Sequence, residues 1–370
     1  MDPQTVFCPN SACPARGQIG KGNIHIHSHV ERRYECDICD TTFAESKGTV
    51  LYRLRTARDI VFVVLTLLAF GCPVQAIVAA FGLDERTIHD WQSRAGQHCA
   101  NVHEHLVQQP RNLGQVQCDE IRVKKQGGIV WMANALQVST RLWLGGDVQA
   151  HRNLALITAL IGKVRASALC RPLLFCTDGL ISYVRAIRKI FREPLPRYQV
   201  GRPHLRPWDD ICIAQVIKQY AQGHVVGVIR RVVQGPVTLI ETLIGQTQGK
   251  GVINVAYIER LNATFRSRLN ALVRRGRALA RQVMSLEKGL YLIGTVYNFC
   301  TYHESLRLPG IIGGHKWILR TPAIAAGITD HRWTVEELLT YHVPSPPWTP
   351  PKRRGRVSDA TKQLVAQWCT

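Results

Sequence analysis

Apolar positions fall into four successive patterns along this chain, and each pattern predicts a different kind of element. In residues 1–48 large apolar side chains are sparse and no helical period is present. The stretch HIHSHV alternates like a strand and puts His25, His27 and His29 on one face, read as exposed and facing DNA. From residue 56 the period becomes helical. Thr56 is placed to cap a helix that runs through the apolar stretch Ile60–Phe70 as far as Gly71. Pro73 opens a short apolar helix, Val74–Phe81, Gly82 supplies a turn, and Asp84 caps a third, polar helix, Glu85–His98. Ile60–Phe70 falls well short of the ~20 apolar residues that a membrane span needs, so it predicts a buried helix. Between residue 115 and about 300, strand-like runs alternate with helical ones, the signature of an α/β or α+β domain. From Pro344 the segment PSPPWTPPKRRGR is Pro-rich and basic, as an extended tail would be.

The expected fold class is therefore α+β or α/β and multidomain. Its parts are a metal-stapled segment at 1–48, a helical domain at 49–110 and a mixed α/β domain at 111–305. A segment without a readable role at 306–343 and the tail at 344–370 complete the chain.

Charge adds a partner to this picture. Among 370 residues, 47 Lys and Arg stand against 26 Asp and Glu, a formal charge of +21. An excess of that size specifies no fold, but it does select a polyanion, most economically nucleic acid. A membrane-surface protein would need an amphipathic or lipid anchor, which the sequence does not display. No charged region followed by an apolar core opens the chain, so a cytoplasmic, nucleoid-associated setting is expected. The 12 cysteines are then reduced, and bind metal or pack as small apolar residues.

Four of those cysteines form two close pairs, Cys8-x4-Cys13 and Cys36-x2-Cys39. Two turns that each present two thiolates, joined by hairpin-sized chain, are what a tetrahedral Zn²⁺ site requires. A segment this poor in large apolar residues also needs such a staple to hold a core. A redox role for CDIC is disfavoured, since no βαβ pattern follows it.

The short helix, glycine turn and capped polar helix at 74–98 form a helix-turn-helix. Ile88 and Trp91 would pack inward. Arg86, Thr87, His89, Asp90, Gln92 and Arg94 would face outward, with Arg86, Thr87, His89 and Arg94 reading DNA.

Three acids stand out by context. Asp119 lies in the strand-like VQCDEIRV, and Asp178 ends the buried run LLFCTD at a strand's carboxyl end, where α/β sites cluster. Glu259 opens a long helix with an apolar stripe at Ile258, Leu261, Phe265, Leu269 and Leu272. That helix carries Arg266, Arg268, Arg274 and Arg275 as a phosphate track. Carboxylates on rigid elements are the hard oxygen ligands that Mg²⁺ prefers. A pair of such ions about 3.5–4 Å apart serves phosphoryl transfer on nucleic acid. Glu120 should alternate to the opposite face, and Asp147 is the next candidate ligand. No G-x4-G-K-[ST] sequence is present, and GQTQGKG at 245–251 has the wrong spacing for a nucleotide site.

Taken in order, the cysteine pairs, the helix-turn-helix and the pattern D…TDG…IERLN resemble the DDE transposases of bacterial insertion sequences. The insertion-sequence-one type is the nearest. TDG at 177–179 and IERLNATFRSRL at 258–269 carry most of the resemblance, which covers residues 8 to about 305. It implies a zinc ribbon with one structural Zn²⁺ on Cys8, Cys13, Cys36 and Cys39. It also implies a ribonuclease-H-like domain with a mixed five-stranded sheet, in which Asp119, Asp178 and Glu259 hold two Mg²⁺ or Mn²⁺ ions. Asn262 and Arg266 match positions that approach the terminal DNA. The implied activity is cleavage and strand transfer at terminal inverted repeats into target DNA, by a dimer or larger assembly. Departures are the x4 spacing of the first cysteine pair and the unmatched residues beyond 305. KRRGR at 352–356 faintly resembles a minor-groove hook but lacks its following proline. Two rivals remain at this point: a zinc and helix-turn-helix DNA-binding regulator without catalysis, and a metal-dependent nuclease of ribonuclease H type.

Overall fold

The computed structural model describes residues 1–195, 204–273, 279–312, 315–350 and 357–368. It divides into two compact units, one joining Met1–Ile60 to Leu339–Thr370 and the other comprising Val61–Leu338.

The smaller unit is built on an antiparallel sheet of three strands, β1 (Ile24–Ser28), β2 (Arg33–Cys36) and β3 (Thr41–Ala44). β1 alternates as expected: Ile24 is buried, while His25, His27 and His29 are exposed. His25 pairs with Asp37 at 2.7 Å and His27 with Glu35 at 2.8 Å. Local sequence supplies only a thin core of Val6, Ile24, Tyr34 and Phe43 around the cysteines. The rest comes from the far end of the chain. A helix at Asp359–Trp368 lays Leu364 and Trp368 against this cluster, which corrects the expectation of a wholly extended tail. The basic stretch KRRGR lies outside the described residues.

The larger unit begins within α1 (Arg58–Ala69), which starts two residues after Thr56, and continues through α2 (Val74–Phe81) and α3 (Glu85–Leu106). Gly82 ends α2 in the left-handed region at φ 63°, a conformation that favours glycine. Asp84 caps α3 by accepting from the Arg86 amide at 2.8 Å. Next in the chain come β4 (Gln115–Lys125), β5 (Gly128–Gln137), β6 (Trp143–Gln149), α4 (Leu154–Ala166), β7 (Leu173–Asp178) and α5 (Ile181–Ile190). They are followed by β8 (Arg192–Pro194), β9 (Leu205–Pro207), β10 (Ile211–Ala221), β11 (His224–Gln234), α6 (Val237–Gln248), α7 (Ala256–Arg268) and α8 (Val283–Cys300).

Six strands form one mixed sheet in the order β11-β10-β7-β4-β5-β6. β10, β7 and β4 are parallel, and antiparallel strands flank them on both sides. The resemblance implied five strands. The sixth, β11, is the second arm of a hairpin with β10 and forms one edge. α3 outruns its predicted end at His98 because its last turns are core: Cys99, Val102 and His103 are buried where α3 packs on α8. Gly96 permits that contact, since a Cβ there would lie 2.3 Å from the Lys288 carbonyl oxygen. α7 is shorter than predicted and ends at Arg268, where Leu269 turns extended. No helix among the described residues is long and apolar enough to cross a membrane.

Candidate active site

The site begins with a polar stripe on a buried strand. Gln115, Gln117 and Asp119 alternate along β4 and share one face. Gln117 is fully buried, and its Oε1 accepts from the Tyr257 and Ile258 amides at 3.0 Å each. Its Nε2 donates to the Asn254 carbonyl at 2.8 Å. α7 has no side-chain cap of its own, so Gln117 satisfies first-turn amides that would otherwise be orphaned. One glutamine thereby fastens the helix that bears Glu259 to the strand that bears Asp119.

β7 runs parallel to β4, with Gln117 opposite Cys176. The same register brings Asp119 and Asp178 to one level, and β10 places Val216 beside Asp178. Carboxylate oxygens of Asp119, Glu120 and Asp178 lie within 4.8 Å of one another. Glu259 lines the same open cleft of about 480 Å³, together with Asp119, Arg152, Asp178, Lys218 and Tyr220.

Two cations balance these acids. Arg152 bridges Glu120 Oε2 at 2.8 Å and Asp178 Oδ2 at 2.5 Å, and Lys218 pairs with Glu259. Burial raises the Asp119 carboxyl above its ordinary range. The Glu120 amide and Asn262 oppose that rise, and the nearby Asp178 and Glu259 charges add to it. Burial likewise raises Glu120, followed by the charge of Asp178, against the pull of Arg152. The buried Tyr183 hydroxyl also lowers Glu120. Crowded carboxylates raised by burial and by one another fit a divalent cation, whose charge offsets that desolvation.

Several expectations need correction. Glu120 does alternate away from Asp119, but at this strand position both carboxylates still reach Asp178, so Glu120 joins the group. Asp147 does not; it pairs with Lys163 at 3.3 Å and takes a hydrogen bond from Gln149. Glu259 shares the cleft, while the tight oxygen cluster consists of the other three acids. Asn262 is fully buried, so in place of an approach to DNA it donates to Asp119 Oδ2 at 2.9 Å. Arg266 is half-buried. Arg268 stacks on Phe70, with Cζ 4.6 Å from the ring centroid, and donates to Thr301. Arg274 and Arg275 lie outside the described residues. On α3, Arg86, His89 and Arg94 are exposed and Thr87 is half-buried, while Ile88 and Trp91 pack inward. His89 pairs with Glu85 and Arg94 with Asp90 along the same helix.

Gln117, Arg152 and Lys218 were not singled out from the sequence. The polar alternation Gln115–Gln117–Asp119 inside an otherwise apolar strand was the available signal for the first. Nothing local marks the other two, which come from a loop and a hairpin.

In the smaller unit, Sγ atoms of Cys8 and Cys39 are 3.6 Å apart, and those of Cys13 and Cys36 are 3.9 Å apart. Tetrahedral Zn–S bonds of about 2.3 Å separate sulfurs by about 3.8 Å, so the four are already at ligand spacing. Burial pushes the Cys8 and Cys13 thiols up. At Cys39 burial acts in the same sense, but hydrogen bonds from Thr41 and Asn10 outweigh it and hold the thiol below its usual range. This group of four cysteines can bind zinc, and the Asp–Glu–Asp group can bind a divalent metal.

Neither family models nor curated proteins gave a match to this chain.

Proposed function

We propose that this protein is a DNA transposase of the DDE kind, with a zinc ribbon, a helix-turn-helix and a ribonuclease-H-like catalytic domain. It cleaves the terminal inverted repeats of an insertion sequence and transfers the freed strand into target DNA. The observation that carries the reading is the convergence of Asp119, Asp178 and Glu259 on one open cleft of a chain charged +21, with the buried Glu120 close to the two aspartates. A polyanionic substrate and an acidic site are compatible only where cations stand between them, and such a site is suited to Mg²⁺ or Mn²⁺. When bound, two such ions activate the attacking oxygen and stabilise the leaving one. Asp119, Asp178 and Glu259 would hold them, with Glu120 and Arg152 setting the position of Asp178. Lys218, released from Glu259, would face the phosphates. The exposed residues of α3 and the ribbon would read the repeats, and one structural Zn²⁺ would hold the ribbon. Joining two ends calls for a dimer or larger assembly.

The test is strand transfer of a labelled terminal-repeat duplex with Mg²⁺ or Mn²⁺. Asp178→Asn keeps the shape and removes the charge, so cleavage and joining should fall by at least ~10³-fold, about 4 kcal/mol of activation free energy. DNA binding should stay within a few-fold of the parent. Asp147→Asn, remote from the cluster, should retain activity. Joining at the parental rate by the Asp178→Asn protein would sink the transposase reading. Hybrid cleavage without joining by the parent would favour the nuclease, and DNA binding without metal-dependent chemistry the regulator.

A further inference from the structure

A chain of buried side-chain hydrogen bonds ends on Asp119. Trp143 on β6 donates from Nε1 to Asn134 Oδ1 at 3.1 Å. Asn134 on β5 donates from Nδ2 to Asn262 Oδ1 at 3.1 Å. Asn262 on α7 donates from Nδ2 to Asp119 Oδ2 at 2.9 Å. Trp143, Asn134 and Asn262 have no solvent exposure, so water cannot replace any link.

We propose that Trp143, Asn134 and Asn262 form a one-way relay that positions the Asp119 carboxylate for its metal. The direction follows from the indole. An amide side chain can turn either its oxygen or its nitrogen to a neighbour, but an indole N–H can only donate. Asn134 must therefore show its oxygen to Trp143, which leaves its nitrogen for Asn262. Asn262 must then accept from Asn134, which leaves its own nitrogen for Asp119. The charged acceptor at the end receives an N–H, and the Asp119 carboxylate is held in one rotamer.

The surroundings keep the relay in place. Asn134 sits directly opposite Asp119 on one side and Gly146 on the other. A Cβ at Gly146 would lie 2.7 Å from Asn134 Oδ1, so the glycine makes room for that amide. Gly294 on α8 does the same for the indole, since a Cβ there would lie 2.4 Å from the ring. Asn298, also on α8, exchanges two bonds of 2.9 Å with the Trp143 backbone, one accepted from its amide and one donated to its carbonyl. The position of Asp119 is thus referred through β5, β6 and α7 to α8, well inside the core.

The proposal rests on the metal-dependent reading of the cleft, and two measurements keep the two apart. The first needs no metal. In the parental protein the Asn262 side-chain amide protons should be strongly protected from hydrogen exchange. Trp143→Phe keeps a ring in place and removes only the orienting donor, and should speed that exchange by at least ~10-fold. The second is Mn²⁺ affinity by calorimetry. Removing a group that holds a metal ligand typically weakens binding ~10–100-fold, the loss expected for Asn262→Ala, with a smaller loss for Trp143→Phe. In strand transfer, kcat should fall while KM for DNA stays put. If Asn262→Ala fails to fold, Trp143→Phe carries both measurements. Parental exchange at Asn262 in Trp143→Phe, or parental Mn²⁺ affinity in a folded Asn262→Ala, overturns the relay. A parental protein that binds no Mn²⁺ overturns the metal-dependent reading alone, and amide exchange still decides the relay.

Discussion

Asp119 shows how a site and a fold make opposite demands on one residue. Its carboxyl is raised by burial, then by its acidic neighbours, although Asn262 and a backbone amide hold it partly down. A raised folded pKa means that the protonated form is the favoured one in the fold. The associated stability is complete at pH below the ordinary carboxylate range and is lost as pH rises through the folded pKa. At neutral pH the metal-free protein therefore bears a cost at this position. Asp119→Asn should raise Tm at pH 7. The gain should vanish in thermal melts at acidic pH, where the parental carboxyl is already neutral. A lower Tm for Asp119→Asn at pH 7 would mean that the carboxylate is satisfied without metal.

At the scale of elements, α7 and α3 each have one face committed inward and one face available. Gln117 is the joint between β4 and α7: Val255 offers α7 no side-chain cap, and Asn254 takes only the Ala256 amide, which leaves those of Tyr257 and Ile258 to Gln117. Gln117→Leu keeps the volume but orphans two buried amides, at a cost of about 1–3 kcal/mol each before relaxation. We expect a lower denaturation midpoint, and strand transfer reduced more than DNA binding, since Glu259 rides on the helix that comes loose. An unchanged midpoint would show that solvent or another side chain caps α7. On α3 the division falls along the helix: the second half packs on α8, and the first turns expose Arg86, His89 and Arg94. On the proposed function, Arg86→Ala should weaken binding to terminal-repeat DNA by about 1–3 kcal/mol if it contacts a base, and equally for all sequences if it contacts phosphate. Competition between repeat and random duplexes at two salt concentrations separates these outcomes. No change in either would remove α3 from the interface.

At the scale of the whole chain, the smaller unit depends on residues more than three hundred positions apart. Its four cysteines stand at ligand spacing, and the C-terminal helix supplies Trp368 to a core too thin to persist alone. Purified protein should carry about one zinc per chain by elemental analysis, with Cys36→Ser releasing it and destabilising residues 1–48. Trp368→Ala should lower the stability of the same segment by about 3 kcal/mol or more while the metal is retained. Zinc retained in full by a Cys8→Ser, Cys36→Ser protein would contradict a ligand role for these thiols.

Much of this molecule is written in short stretches of sequence, because local physics acts within a turn or two. The cysteine spacing, the Gly82 turn, the Asp84 cap and the first part of the apolar stripe, Ile258, Leu261 and Phe265, all appear in the structure, each resting on neighbouring residues. Asp119 and Asp178 were legible as candidates because a carboxylate in an apolar strand, or at its carboxyl end, is costly without a purpose. What only the tertiary structure decided is who stands beside whom. Glu120 reaches Asp178 despite strand alternation, Asp147 is engaged by Lys163, and Arg152 and Lys218 arrive from a loop and a hairpin. Asn262 turned from a surface contact into a buried link, because helical period assigns a residue to a face but not to what covers that face. The Trp143 relay was invisible for the same reason: its direction depends on contacts among four elements, and no spacing along the chain encodes which end of an amide meets an indole.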